Sequence, residues 1–362
     1  MNTIQFIREN GLEALTEQLG IVVKERGNLL CLDYDQIESP RLHPVVLECR
    51  GLILEKDTYN IVFRSMSRFF NYGEAYTKDL DFTGAKYYDK VDGSLIKIYC
   101  YQDNWYIATR GTIIADNETP FGISFQDLVL KALRLTEEDF QFEAHKLLNP
   151  NISYNFEVTS IENRVVTRYE GYTLYYLNAR DTQTGEYVDE INPAILLGAR
   201  LPPDVMEGAT PEQVVEYVKH LPDLREGLVA YLNGTPSCKF KSPTYVELHH
   251  KRGNGISLNG IRRLVILQEH PEYLSYFGEE LPLFEPYIYA YEAMFANIHS
   301  LWEKVKDIED QKEYANVVKV HPASALLFAK RKQQDATFYS LFNTRMTEPS
   351  QFRLLDAYVQ EL

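Results

Sequence analysis

Between residues 21 and 241, the apolar residues of this 362-residue chain come in short runs rich in β-branched and aromatic side chains. Beyond about residue 255 they recur at helical spacing instead. A switch of period at one point divides a chain into a sheet-building part and a helix-building part. Runs at 21–24, 29–32, 47–54, 95–101, 104–109, 152–158, 162–166, 173–180 and 225–231 read as strands. Helical patterns fall at 3–18, 124–148 and after Pro211, too irregularly placed for a doubly wound parallel sheet. The second part reads as helices at 257–269, 285–315, 322–335 and 349–361. The expected fold is α+β: a mainly antiparallel-sheet domain over 1–252, with residues 1–80 packed on it, then an all-α domain over 253–362. The boundary falls at the glycine-rich Arg252-Gly253-Asn254-Gly255.

Within the sheet-building part, Lys90-Val91-Asp92-Gly93-Ser94 stands between Tyr87-Tyr88 and the strand-like 95–99. A lysine just before an Asp-Gly turn suits nucleophilic chemistry, because Gly93 permits a tight turn and flanking β-structure would hold it rigid at a sheet edge. A lysine amine attacks only when neutral, so burial or neighbouring cations must lower its pKa. Taken alone, the same residues describe a solvated hairpin turn.

The net charge is -15. A generic whole-surface nucleic-acid binder would be basic, so any such contact must be confined to a local basic groove. The 26 tyrosines are able to line such a groove as well as fill a core. Cys31, Cys49, Cys100 and Cys238 are widely spaced with no C-x-x-C pair, which suggests reduced thiols and no zinc site. The N-terminus has no signal-peptide pattern, and no apolar run reaches 18 residues, so a cytoplasmic protein without a membrane span is expected. Lys330-Arg331-Lys332 forms a small basic patch that reads as a solvated helix face.

Further residues with the right chemistry follow in order. Arg50-Gly51 leads an apolar strand, and Arg68-Phe69-Phe70-Asn71 sets a cation beside aromatics. Arg110-Gly111 follows a strand, and Glu157 lies near the end of one. Glu226-Gly227 leads another, and Lys239-Phe240-Lys241 puts two lysines on one strand face. Negative charge built up in phosphoryl transfer needs such cations, and carboxylates supply hard oxygen ligands for a divalent metal or acceptors for ribose.

The ordered set, with Ser94, Asn155, Asn163-Arg164, Ser242 and Tyr245, resembles the RNA ligase 1 family of T-even bacteriophage, within the covalent nucleotidyltransferases. The resemblance covers about residues 40–250. DNA ligases and capping enzymes continue into a β-rich domain where this chain turns helical. The resemblance implies an antiparallel nucleotidyltransferase fold and an ATP-dependent RNA ligase using Mg²⁺, with Mn²⁺ as an alternative. Lys90 would become lysyl-AMP, with Asp92, Lys239 and Lys241 as its catalytic companions. Arg50, Arg68, Phe70, Gly93, Arg110, Glu157, Glu226, Gly227 and Tyr245 would bind nucleotide, and Glu157 and Glu226 the metal. At 68 and 110 the family often has lysine, and arginine keeps the charge while adding bidentate geometry. The implied partner is single-stranded or tRNA-like RNA with 5′-phosphate and 3′-hydroxyl ends, sealed by a monomer in the cytoplasm, that of a host if the chain is phage-encoded. A ligase that also accepts single-stranded DNA, and a non-catalytic RNA-binding protein of the same fold, are the alternatives.

Overall fold

A computed structural model describes residues 1–35, 38–222, 224–252, 256–334 and 336–359. The chain divides into two compact units, Met1–Gly255 and Ile256–Leu362. The glycines expected at the boundary, at 253 and 255, lie outside the described residues.

The first unit opens with helices α1 (Asn2–Asn10) and α2 (Glu13–Leu19), so the single helix expected over 3–18 is broken where the chain turns at Gly11. The strands β1 (Ile21–Arg26) and β2 (Leu29–Tyr34) form the expected hairpin. The stretch read as a polar loop holds a short helix, α3 (Pro44–Glu48), started by a proline whose fixed φ suits the first helical turn. With β3 (Arg50–Glu55) and β4 (Ile61–Phe63) the hairpin makes a four-stranded sheet in the order β1-β2-β3-β4.

The chain then builds β5 (Phe70–Asn71), β6 (Lys86–Asp89), β7 (Ser94–Tyr101), β8 (Asn104–Thr109), α4 (Phe125–Leu133), α5 (Glu137–Leu147), β9 (Ile152–Thr159) and β10 (Thr173–Asp181). After these come β11 (Tyr187–Val188), α6 (Ile191–Leu197), β12 (Asp204–Glu207), α7 (Pro211–Lys219), β13 (Gly227–Leu232), β14 (Thr235–Lys241) and α8 (Pro243–Arg252). The strands form two five-stranded sheets, β11-β10-β9-β7-β8 and β12-β6-β13-β14-β5. Pairing is antiparallel apart from the short β14–β5 contact. The helix expected over 124–148 is two, parted at Arg134 with its positive φ of 59°. Residues 162–166, read as a strand, are turns and bends.

Ile7, Leu15, Leu30, Val46 and Leu52 bury the four-stranded sheet under α1, α2 and α3, and further cores stack the other layers. Ile96, Ile98, Leu128, Leu133, Phe156 and Leu197 bury one face of the first five-stranded sheet under α4, α5 and α6. Tyr87, Val214, Leu228 and Phe240 bury the second sheet under α7. Cys31, Ile53, Phe63, Tyr99 and Ala108 join the N-terminal sheet to β7 and β8.

Consecutive strands β6 and β7 belong to different sheets and are interior in both. The 90–93 segment is therefore the crossing between two sheets, which corrects the expectation of a hairpin at a sheet edge. Crossing points of this kind place side chains in the crevice between layers.

The second unit is helical: α9 (Leu258–Ile266), α10 (His270–Tyr276), α11 (Leu281–Val305), α12 (Gln311–Val318), α13 (Ser324–Lys332), α14 (Phe338–Arg345) and α15 (Glu348–Val359). The helix expected over 285–315 ends near Val305 and restarts at Gln311, capped by Asp310. Of the basic patch at the end of α13, Lys332 is exposed as expected of a solvated face, whereas Lys330 and Arg331 are used by the fold. Lys330 donates to the carbonyls of Gln334 and Ala336. Arg331 donates to those of Ile308 and Glu309 and lies over the Tyr314 ring at 4.2 Å. Cations at a helix C-terminus satisfy carbonyls left over there. Among the described residues no helix is long and apolar enough to cross a membrane.

Candidate active site

Register determines who meets Lys90. Asp89 pairs with Leu228, so the next residue reaches Gly227, whose carbonyl accepts from the Lys90 N–H at 2.8 Å. Gly227 also pairs with Lys241 on its other side. Glu226, 3% exposed, thus stands between two lysines: Lys90 Nζ at 2.6 Å from Oε2 and Lys241 Nζ at 2.9 Å from Oε1. Lys239, two residues back along β14, lies over the Phe69 ring at 4.8 Å.

From the other sheet comes Glu157 on β9, paired with Leu95. Its Oε1 accepts the Gly93 N–H at 3.2 Å. Gly93 is required by close approach: a Cβ there would stand 2.2 Å from the Val158 carbonyl oxygen. Asp92 is buried at 3% and spent internally. Its Oδ1 accepts from the Tyr245 hydroxyl at 2.6 Å, and its Oδ2 from the Val166 and Thr167 N–H groups at 2.8 and 2.7 Å. Its own N–H donates to the Tyr169 hydroxyl. Ser94 Oγ reaches Asn163 Oδ1 at 3.0 Å, and the Asn163 amide donates to the Val158 carbonyl, which ties the 162–166 turn to the Lys90 loop.

The arginines arrive from three places. Arg50 begins β3 and reaches over Phe69 at 5.3 Å. Arg110 follows β8 and is paired through Nε to Asp33 at 2.9 Å. Arg68 lies 4.0 Å from the Tyr34 ring centroid and Arg110 4.2 Å from the same centroid. Arg50 Nε and Arg68 Nη1 are buried without a hydrogen-bond partner among the described residues. Buried donors left unmatched mark a place where an acceptor belongs. Phe70 stands one step back, packed on Tyr76 at 4.7 Å and 5.6 Å from Arg68.

Two cavities flank the Lys90 loop. One, of about 840 Å³, is lined by Arg50, Lys90, Asp92, Gly93, Arg110, Glu157, Glu226 and Tyr245, together with Tyr34 and Asp33. The other, of about 150 Å³, is lined by Leu177, Val229 and Tyr231 together with Arg50, Lys90, Glu157, Lys239 and Lys241.

The electrostatics differ from the simplest expectation. Burial works against a charge on Lys90, but the carboxylates of Glu226, Glu157 and Asp92 outweigh it, and its pKa is raised. The amine held well below its usual value is that of Lys239, through burial and the charges of Arg50, Lys90 and Lys241. The expectation that burial or neighbouring cations lower the Lys90 pKa is thus reversed, because Glu226 stands 2.6 Å from its amine with Glu157 and Asp92 adding their charge. Glu226 stays ionised: burial opposes this, and Lys90 and Lys241 prevail. Glu157 is pushed up to about 7, chiefly by burial, with Glu226 and Asp92 adding to the effect against Lys90 and Arg50.

Among the described residues no group of three or more His, Cys, Asp or Glu side chains is arranged to hold a metal ion. Mg²⁺ commonly takes one or two carboxylates and completes its shell with substrate phosphates and water. Glu157 and Glu226, hard oxygen donors beside unmatched guanidinium donors, fit a cation that arrives with a nucleotide.

Tyr34, Asp33 and Tyr169 escaped the sequence reading. Each acts through a partner distant in sequence, and the sole local sign was a polar Asp-Tyr pair closing an apolar strand.

Residues 48–195 match the family model described as RNA ligase. That is the family which the motifs around Lys90 resemble. Glu226, Lys239, Lys241 and Tyr245 lie beyond the matched stretch. A protein of Autographa californica nuclear polyhedrosis virus, named as a candidate bifunctional polynucleotide kinase/RNA ligase, is 33% identical over 376 residues, 98% of this chain and 53% of the viral protein. A candidate RNA ligase of Thermovibrio ammonificans is 26% identical over 57% of this chain and 54% of its own length. The chain spans about half the length of the curated relatives it matches. Among solved structures, a variant of Naegleria gruberi RNA ligase with ATP and Mn matches at a TM-score of 0.41, with 20% identity over 52% of this chain and 59% of that one.

Proposed function

We propose that the chain is an ATP-dependent RNA ligase that works through a covalent lysyl-AMP. The observation that carries this reading is the meeting of Lys90, Glu226 and Lys241 at the crossing of two sheets, with Lys90 Nζ 2.6 Å from Glu226. The match of residues 48–195 to RNA ligases supports it.

The smaller cavity suits an adenine. Leu177, Val229 and Tyr231 offer apolar contact, and Glu157 stands where a ribose hydroxyl would come. The unmatched donor of Arg50 suits the phosphate tail, and Lys239 and Lys241 the α-phosphate, whereas Arg68 lines neither cavity. Phosphates entering beside Glu226 compete for its two lysines. With Lys241 drawn to phosphate, the Glu226 carboxylate 2.6 Å away accepts one proton from the Lys90 ammonium, which leaves a neutral amine able to attack. Its Nζ forms a bond to the α-phosphorus and pyrophosphate leaves. The 5′-phosphate oxygen of an RNA end then attacks that phosphorus, and the P–N bond breaks. A 3′-hydroxyl finally attacks the RNA phosphorus, and AMP leaves with the bonding electrons. Bound Mg²⁺, held by Glu157 or Glu226 together with the phosphates, would offset charge on the transferring group. Asp92 serves as a positioning group for the loop. RNA repair, with tRNA among the substrates, is the role this chemistry fits.

The test uses ATP labelled with ³²P at the α position. Label on the wild-type protein and none on Lys90→Ala establishes the covalent step, and a chase with 5′-phosphorylated RNA or single-stranded DNA identifies the acceptor. No label on a folded wild type sinks the reading in favour of an RNA-binding protein.

A further inference from the structure

Lys97 sits in the middle of β7 with no exposed surface. It has no ion-pair partner among the described residues. Its Nζ donates to the Gly51 carbonyl at 3.0 Å and to Cys31 Sγ at 3.6 Å, 5.5 Å from the Phe63 ring centroid. Burying a lysine head without a counter-charge is strongly unfavourable, and an apolar residue would fill the same space without that cost.

What its donors hold is specific. Pairing between β2 and β3 runs from Leu32–Leu52 to Asp33–Arg50, so Gly51 is an extra residue in the ladder. A bulge of this kind leaves one residue unpaired and re-aims its neighbour's side chain. Here the neighbour is Arg50, and Lys97 takes up the bulge carbonyl. Gly51 has a φ of 78°, and a Cβ on it would stand 2.2 Å from the Arg110 carbonyl oxygen. Cys31 Sγ faces that same Arg110 oxygen at 3.8 Å. The Arg50-Gly51 and Arg110-Gly111 segments come from different sheets, and Lys97 with Cys31 ties their backbones together.

We infer that Lys97 is a positioning residue: through the Gly51 carbonyl and the Cys31 thiol it determines where Arg50 and Arg110 project into the cavity beside Lys90. The inference rests on reading those arginines as phosphate contacts.

Lys97→Met in the full chain keeps the stem and removes the donor. The measurements are adenylylation rate against ATP concentration and the thermal unfolding midpoint. Loss of positioning raises the KM for ATP about tenfold, with the saturated rate within about twofold. The midpoint stays unchanged or rises, because a buried charge has gone. A merely structural lysine gives the reverse, a lower midpoint and an unchanged KM, and that result overturns the inference. In an Arg50→Ala background, the effect of Lys97→Met on KM shrinks to the part carried through Arg110; full additivity also overturns it. Should Lys97→Met not fold, Cys31→Ala removes the link to Arg110, and a KM raised roughly threefold supports the inference while an unchanged KM ends it. Absence of any covalent adenylate on the wild type fails the underlying reading instead, which keeps the two failures apart.

Discussion

The Lys90 ammonium lies 2.6 Å from Glu226 Oε2, and that carboxylate also holds Lys241 at 2.9 Å. The proposed nucleophile is therefore kept charged until its proton is passed on, and in the charged form a lysine cannot attack. Glu226→Gln keeps the shape and removes the largest of the charges that raise the Lys90 pKa, leaving those of Glu157 and Asp92. Without ATP near neutral pH, an amine-directed reagent should then modify Lys90 several-fold faster than in the wild type, as read by peptide mass spectrometry. Equal modification would contradict the ion pair as the cause.

Glu157 brings a stability signature with a definite sign. Its native pKa is raised from 4.5 to about 7. Between those values the native state keeps a proton that the unfolded chain has released, so stability falls as pH rises through that window. Above it, the full penalty of a buried carboxylate is present. Urea midpoints measured across the window should fall more steeply for the wild type than for Glu157→Gln. Parallel curves would show that burial of Glu157 costs nothing.

Tyr245→Phe removes one hydroxyl, the one 2.6 Å from Asp92 Oδ1. Leaving a buried carboxylate oxygen unmatched costs about 1–3 kcal/mol. The expected result is a lower urea midpoint, with lysyl-AMP formation reduced less than by loss of Lys90. A midpoint unchanged from wild type would mean that Asp92 finds another donor.

Gly93→Ala introduces a Cβ 2.2 Å from the Val158 carbonyl oxygen. Backbone cannot yield there without moving the Lys90 loop away from Glu157. A displacement of about 1 Å at a reacting group is able to cost ~100-fold in rate. Adenylylation by this variant should fall by that order while circular dichroism stays native, and near-normal labelling would refute the close approach.

Arg331→Ala probes the helical unit. Arg331 binds the Ile308 and Glu309 carbonyls, so its loss should destabilise that unit by about 1–3 kcal/mol, visible in its thermal transition. RNA affinity at fixed salt should stay the same. A selective fall in RNA affinity would restore the basic patch as a binding surface.

The residue types that carry the proposed chemistry were legible in the chain, because a lysine before Asp-Gly, a Glu near a strand end and a Lys-x-Lys strand each announce themselves locally. The division at about residue 255 was legible too, since period 2 and period 3.6 leave different apolar patterns. Helix breaks at Gly11 and Arg134, and the loss of a strand at 162–166, were less so. There a backbone preference of one or two residues overrides an apolar pattern that continues across them.

Tertiary structure alone decided who stands next to whom. Nothing near Lys90 in sequence indicates that Glu226 stands 2.6 Å from it, yet that contact, with Glu157 and Asp92, sets the sign of its pKa shift. Register between β6, β13 and β14 brings these residues together, and register is a property of pairing between distant segments. The same holds for Lys97, one letter in an apolar strand, whose partners Cys31 and Gly51 come from another sheet. Composition and spacing name the groups a chain can use; Coulomb energies and hydrogen bonds depend on distance, which only the fold supplies.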